Sequence, residues 1–297
     1  MCYKNTITIV GMWSIDSVKS YCINLDKRTE RWERMIAQPE IKRIPNLKRF
    51  SAVDGSAISI DTDKRVSTLC RFNIKNHTRR SHDMLDSIGG VGCALSHITL
   101  WQNLVKSHEN VFFVVEDDLV LQPGDWARIC RIYEENEWLH DSNNWGIWSV
   151  GNLRCRAGPN MPYPDEGKKE NKWLKCKEFV GFNSYFISRT GAQKLLTECF
   201  PIQHHIDWFT GFYAQTHPDF NIVFNKQINL DQDEAYAGKD LSDIRTKDVC
   251  HICDLPSDVE LSHMIFKKET FGSSVIILVS IAVAIAGAFA LRKQKLL

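Results

Sequence analysis

Three carboxylates stand side by side at Glu116-Asp117-Asp118, directly after five consecutive apolar residues, Val111 to Val115. Five apolar residues in succession describe a strand buried on both faces, the kind from which parallel sheets are built. Adjacent like charges repel, and in open α/β sheets the ligand crevice lies outside the carboxyl ends of the strands. Either the cluster holds a cation at such a strand end, or an ordinary strand runs into an acidic loop. This segment alone leaves both readings open.

Other residues with chemical potential are spread along the chain. Arg28, Arg31 and Arg34 recur at helical spacing just after an apolar run. A strand-to-helix turn with cationic donors can hold phosphates or a base, and a solvated basic face is the alternative. Asp26 and Thr29 are positioned to cap that helix. Gly89-Gly90-Val91-Gly92 precedes Ser96-His97; glycines allow close backbone approach at a helix start, yet no strand precedes them, so this is not a dinucleotide fingerprint. Cys250 and Cys253 have CxxC spacing, but zinc would need two more ligands and no second CxxC exists, which favours a disulfide or plain thiols.

The elements that must position these groups alternate. Strands are expected over Val18–Leu25, Lys48–Val53, Val111–Val115, Trp145–Val150, Phe182–Ser188 and Ile222–Phe224. Helices are expected from Gly89 through Ser107, over Trp126–Glu137 and Arg189–Cys199, and from His204 onward. The polar stretch from Ser56 to Ile88 reads as an irregular or short-helical insertion, and Gly158 to Lys175 as a loop long enough to act as a lid. Strands alternating with helices argue for an α/β fold with a mostly parallel sheet covered by helices on both faces.

With 297 residues the chain suffices for one large domain or two small ones. The balance of 37 basic against 36 acidic side chains gives a net charge of +1, so no global field attracts nucleic acid and none is expected as a partner. Ten scattered cysteines do not form the framework of a small disulfide scaffold. From Phe271 to Leu291 no charge interrupts the chain, and the run reaches the ~20 residues that cross a bilayer as a helix. Basic residues bracket it on both sides, so a C-terminal membrane anchor is expected.

Taken together and in order, "YCINLDKRTERWERM", "FSAVDG", "GGVGCALSHITLW" and "VVEDDL", followed by "GFNSYFISRTGAQKLL" and "HHIDWF", resemble glycosyltransferase family 25. That family includes lipopolysaccharide-biosynthesis transferases and collagen hydroxylysine galactosyltransferases. The resemblance runs from Tyr21 to Phe209 and implies a GT-A type nucleotide-sugar-binding sheet. It also implies a divalent metal, Mn2+ being the expected one, held by Glu116 and Asp118, and transfer of galactose or glucose from a UDP-sugar to a glycan or protein hydroxyl with inversion. In the family's pattern Asn24, Leu25, Arg28 and Arg31 match the nucleotide-binding first turn. Asp54 and Gly55 match the turn at the nucleoside, and Ser96 and His97 match a pair near the pyrophosphate and sugar. Strand alternation would lean Glu116 and Asp118 to one side and Asp117 to the other. An inverting reaction needs a base for the acceptor hydroxyl. Asp207 is the candidate, although a carboxylate at a helix start is more often a cap, and His205 is the alternative.

The implied layout is a transferase domain over residues 1–228, a polar stem over 229–270, the membrane helix over 271–291 and a short basic tail over 292–297. Lys293-Gln294-Lys295-Leu296-Leu297 resembles a dilysine retrieval signal, which points to the endoplasmic reticulum or a related endomembrane with a lumenal body; the weak N-terminus, lacking a clear signal peptide, points to the cytosol. A membrane-tethered nucleotide- or carbohydrate-binding protein without turnover is the rival function.

Overall fold

The structure, a computed structural model, describes residues 11–79, 81–151, 154–157, 172–228 and 230–232. Contacts divide the chain into two compact units, and the sheet and all helices named here belong to the larger one, residues 1–78 and 84–248. The expected membrane segment and the CxxC pair lie outside the described residues. Among those residues, no helix is long and apolar enough to cross a membrane.

An eight-stranded sheet organises this unit, in the order β2-β1-β3-β8-β5-β9-β7-β6. Its strands are β1 (Lys19–Asn24), β2 (Leu47–Ser51), β3 (Val111–Glu116), β5 (Ile147–Gly151), β6 (Arg154–Ala157), β7 (Trp173–Val180), β8 (Ser184–Ser188) and β9 (Ile222–Asn225). Two short strands, β4 (Leu119–Val120) and β10 (Asp231–Gln232), pair separately. The helices are α1 (Thr29–Ala37), α2 (Thr68–Asn76), α3 (Ile88–Lys106), α4 (Asp125–Glu134), α5 (Arg189–Leu196) and α6 (Ile206–Thr216).

Both faces of the sheet are covered, as the apolar strands demand. Phe112 and Val114 point into a core shared with Leu95, Ile98 and Trp101 of α3, Leu195 of α5 and Ile206 of α6. Val111, Phe113 and Val115 point the other way, onto Met35 of α1 and Trp126 and Ile129 of α4. Successive side chains of a strand face opposite sides, so one five-residue run feeds two cores.

The expectation of a mostly parallel sheet is corrected to a mixed one. Among the described residues, β1 runs parallel to β2 and β3, and β5 parallel to β9. The pairings β3·β8, β5·β8, β7·β9 and β6·β7 are antiparallel. Antiparallel neighbours need no helical crossover. Part of the stretch read as a lid is instead the strand β7, which contributes Trp173, Leu174, Cys176 and Phe179 to the interior.

What matters for chemistry is the parallel third of the sheet. Asn24 of β1 stands opposite Ser51 of β2, and Ile23 opposite Glu116 of β3. Three carboxyl ends therefore finish in one row. Strand β8 runs against β3, so its start lies beside the end of β3, and the Glu116 amide donates to the Asn183 carbonyl at 2.8 Å.

Candidate functional site

A cleft opens at that row of strand ends. It is lined by Asn24, Leu25, Lys27 and Arg31 after β1, by Val53 to Ser56 after β2, by Ile88, Gly89, Cys93 and Ser96 of α3, and by Glu116, Asp117 and Asp118. Its cavity volume is about 200 Å3. Of the sequence-predicted residues, Asn24, Leu25, Arg31, Asp54, Gly55, Ser96, Glu116 and Asp118 all reach it.

The first turn is a network of buried polar groups. Asn24 donates through Nδ2 to the Arg28 carbonyl at 2.9 Å and to Asp117 Oδ2 at 2.7 Å, while its Oδ1 accepts from Arg49 Nε at 2.7 Å. Arg31 is buried, pairs with Asp117 Oδ1, and lies 3.8 Å from Asp118 Oδ2. Arg28 is the N-cap of α1, does not line the cleft, and meets Glu30 at 3.1 Å. The expected caps are corrected too: Asp26 accepts from Arg49 and Ser51, both at 2.6 Å, instead of capping α1.

Strand alternation does not extend to the acidic cluster. Strand β3 stops at Glu116, and Asp117 and Asp118 form a turn, so both approach Arg31 while Glu116 approaches His97. Asp117 was passed over by the alternation argument, and it is the best-anchored carboxylate of the three. Burial raises its pKa, with Arg31 and Asn24 opposing. Asp118 is pushed up to about 7, chiefly by burial and then by the charge of Glu116. Its Oδ1 is buried without a hydrogen-bond partner.

Serine and histidine of the Ser-His pair do different work. Ser96 Oγ accepts from the Val53 amide at 2.9 Å and donates to the Gly92 carbonyl at 2.8 Å, tying α3 to the loop after β2. Glycines make this seam possible: a Cβ on Gly92 would stand 2.5 Å from the Val53 carbonyl oxygen, and one on Gly55 would strike the Ile88 carbonyl. These two glycines serve backbone against backbone. His97 is fully buried, with Nδ1 2.8 Å from the Tyr185 hydroxyl and Nε2 3.2 Å from Glu116 Oε1. Tyr185 accepts from Trp101 Nε1 at 3.1 Å, so its hydroxyl joins the indole of α3 to the imidazole.

After β2, Asp54 accepts from Lys27 Nζ at 2.9 Å and from the amide and hydroxyl of Ser56, and these bonds lower its pKa to about 2. Asp207 does not line the cleft. Its oxygens accept from the amides of Gly181 and Trp208, both at 2.8 Å, and burial pushes its pKa up to about 6. Through Gly181 it secures the turn that presents Asn183 to Glu116. Sequence reading also missed Arg49, Lys27, Tyr185 and Cys93. Cys93 did leave a signal, one helical turn before His97; Tyr185, inside an apolar strand, left none.

Comparison with known proteins matches residues 17–210 to the family model described as glycosyltransferase family 25 (LPS biosynthesis protein). A glycosyltransferase 25 family member of Anopheles gambiae is 27% identical over 188 residues, 60% of this chain and 28% of its own length. Procollagen galactosyltransferase 1 of Danio rerio is 27% identical over 177 residues, 59% of this chain and 28% of its own. Procollagen galactosyltransferase 2 of Mus musculus is 24% identical over 231 residues, covering 74% and 32%. The matched region thus spans about a third or less of these relatives.

Proposed function

Because the chain belongs to glycosyltransferase family 25, we propose that its cleft binds a UDP-sugar and moves the hexose, galactose or glucose, to a hydroxyl of a glycan or protein, with inversion and in a GT-A type arrangement. One observation carries the reading. Two cationic side chains, Lys27 and Arg31, line the cleft against four carboxylates, and one of those carboxylates has a buried oxygen without a partner. A diphosphate cannot settle against that surplus of negative charge unless a cation comes with it.

The residues present fit such an ion. Asp117 is occupied by Arg31 and Asn24, which leaves Asp118 and Glu116 as the oxygen donors, a hard set suited to Mn2+ or Mg2+. When bound, the ion supplies Lewis-acid neutralisation of the leaving diphosphate. The chain's own residues do the rest. Arg31 holds Asp117 and limits repulsion around Asp118, Asn24 fixes the turn through which Leu25 meets the nucleotide, and Asp54 and Gly55 border the nucleoside. Arg28, close enough to lower the pKa of Asp117, adds a further positive charge at this turn. Ser96 and His97 act as positioning residues, for the loop after β2 and for Glu116. Asp207 is assigned the base role, since a carboxyl with a pKa near 6 suits proton transfer near neutrality.

A lumenal body on an endomembrane anchor belongs to the same proposal. Cys176 is disulfide-bonded, which supports an oxidising compartment. Full-length protein in detergent, offered UDP-galactose and UDP-glucose with and without Mn2+, tests the reading through UDP release and sugar transfer. Release that requires the ion and stops with chelator is expected. Binding of the donor without any turnover would make the protein a tethered nucleotide-sugar-binding module instead.

A further inference from the structure

A second, softer donor set shares the cleft. Cys93 and His97 are four residues apart on α3, so their side chains stand on one face, one turn above the other. Glu116 meets them from the end of β3. The Cys93 sulfur, an imidazole nitrogen of His97 and a Glu116 oxygen all lie within 4.8 Å of one another, and the His97 to Glu116 separation is 3.2 Å. Bonds of ~2.0–2.3 Å at a tetrahedral ion hold ligand atoms roughly 3.3–3.8 Å apart, so the widest pair must close by at most about 1.5 Å.

Two further observations point to a ligand here. His97 has its remote nitrogen fixed by Tyr185, which is itself fixed by Trp101, and metal-binding imidazoles are ordinarily oriented by such a partner on the other nitrogen. Close by, Asp118 Oδ1 is buried without a partner, and Glu116 is the charge that acts on Asp118 most strongly. Cys93 itself is a free cysteine lining the cleft, with no part in the transfer chemistry.

We propose that Cys93, His97 and Glu116 form a site for a thiophilic divalent ion of the zinc type, with its fourth position open to the cleft. Thiolate, imidazole and carboxylate together select zinc or cobalt over magnesium or manganese. Glu116 belongs to both donor sets, so an ion seated on Cys93 and His97 excludes the hard cation from Glu116. The site stands on its own donors and does not require the transferase reading.

Cobalt reports it directly, because a thiolate bound to Co2+ produces a charge-transfer absorption that oxygen and nitrogen ligands do not. Full-length protein carrying Cys250→Ser and Cys253→Ser, titrated with Co2+, is expected to develop this band to one equivalent and to lose it on addition of Zn2+. Cys93→Ser should remove the band, and His97→Gln should keep it while weakening Co2+ affinity at least about tenfold. An unchanged band in Cys93→Ser, or no band at all, overturns the proposal. If Cys93→Ser does not fold, undiminished affinity in His97→Gln does the same. Cobalt binding in a protein that, free of cobalt and supplied with Mn2+, releases no UDP would sink the transferase reading and leave this one standing.

Discussion

The two sides of the sheet use similar buried strands and end in opposite ways. Where β2, β1 and β3 run parallel, their carboxyl ends align and carry Asn24, Ser51 and Glu116, then the acidic turn. Where β8, β5, β9 and β7 neighbour one another, directions largely alternate, and the interior is aromatic. Phe186 stacks on Phe113 at 4.3 Å and on Trp148 at 4.7 Å, and Trp148 lies 6.1 Å from Trp173. Among the described residues only β5 and β9 run parallel there, so two carboxyl ends align instead of three. One side is frame; the other collects the groups that cost stability and do chemistry.

Removing a carboxylate from the polar side separates those two properties most sharply. Asp118→Ala should lower transfer by roughly a thousandfold or more, since a lost metal ligand raises the barrier by several kcal/mol. Stability should hold or rise, because a buried carboxylate that lacks a full set of partners is gone. Denaturant unfolding alongside UDP release measures both. A variant that loses its fold together with its activity would make Asp118 structural and break the contrast.

The frame should respond in the reverse sense. Trp148 is fully buried against Phe186 and Trp173, and Trp148→Ala should cost about 3–5 kcal/mol in urea unfolding. The molecules that remain folded should keep the donor KM of the parent. A raised KM at unchanged stability would mean that the aromatic side reaches into the site.

Acidity gives a smaller and continuous test. Burial raises the pKa of Asp118 to about 7, that of Asp207 to about 6, and that of Asp117 as well. Between the ordinary carboxylate range and pH 7 the folded chain therefore holds more protons than the unfolded chain. Stability must fall as pH rises through that window, by at most about 1.4 kcal/mol per pH unit for each proton released. Mn2+, which competes with the proton on Asp118, should stabilise little at about pH 5 and clearly at about pH 8. Asp118→Asn should flatten the slope, and an unchanged slope would place the responsible group elsewhere.

Much of this division was legible in the sequence, through the features that local patterning governs. Val111–Val115 read correctly as a strand buried on both faces, and the three carboxylates after it line the cleft. Alternation failed at Asp117 because it holds only while the strand lasts, and the chain turns after Glu116. The sheet was read as more parallel than it is because β7 lies partly inside a charged, proline-containing stretch whose strand character comes from pairing with β9 and β6. Asp207 was seen as a cap or a base, but its bond to Gly181 joins residues 26 apart, a separation that no local pattern reports. Long-range polar contacts of that kind built most of what was missed.

Tyr185 belongs to the frame by position and to the site by contact, so it measures how far the two sides are coupled. It lies on β8, is fully buried, and bonds through its hydroxyl to His97, whose other nitrogen faces Glu116. Tyr185→Phe keeps the ring and its stacking on Phe182 but removes the hydroxyl. The Trp101 N–H and His97 Nδ1 then lose their partner, at a cost of about 1–3 kcal/mol in stability. If orientation of Glu116 travels through this chain, Mn2+ affinity should weaken by about tenfold, the effect typical of losing a ligand's outer partner. Isothermal titration of Mn2+ into the variant distinguishes the cases. Loss of stability with full Mn2+ affinity would show Tyr185 to be frame alone, with His97 and Glu116 holding their positions without it.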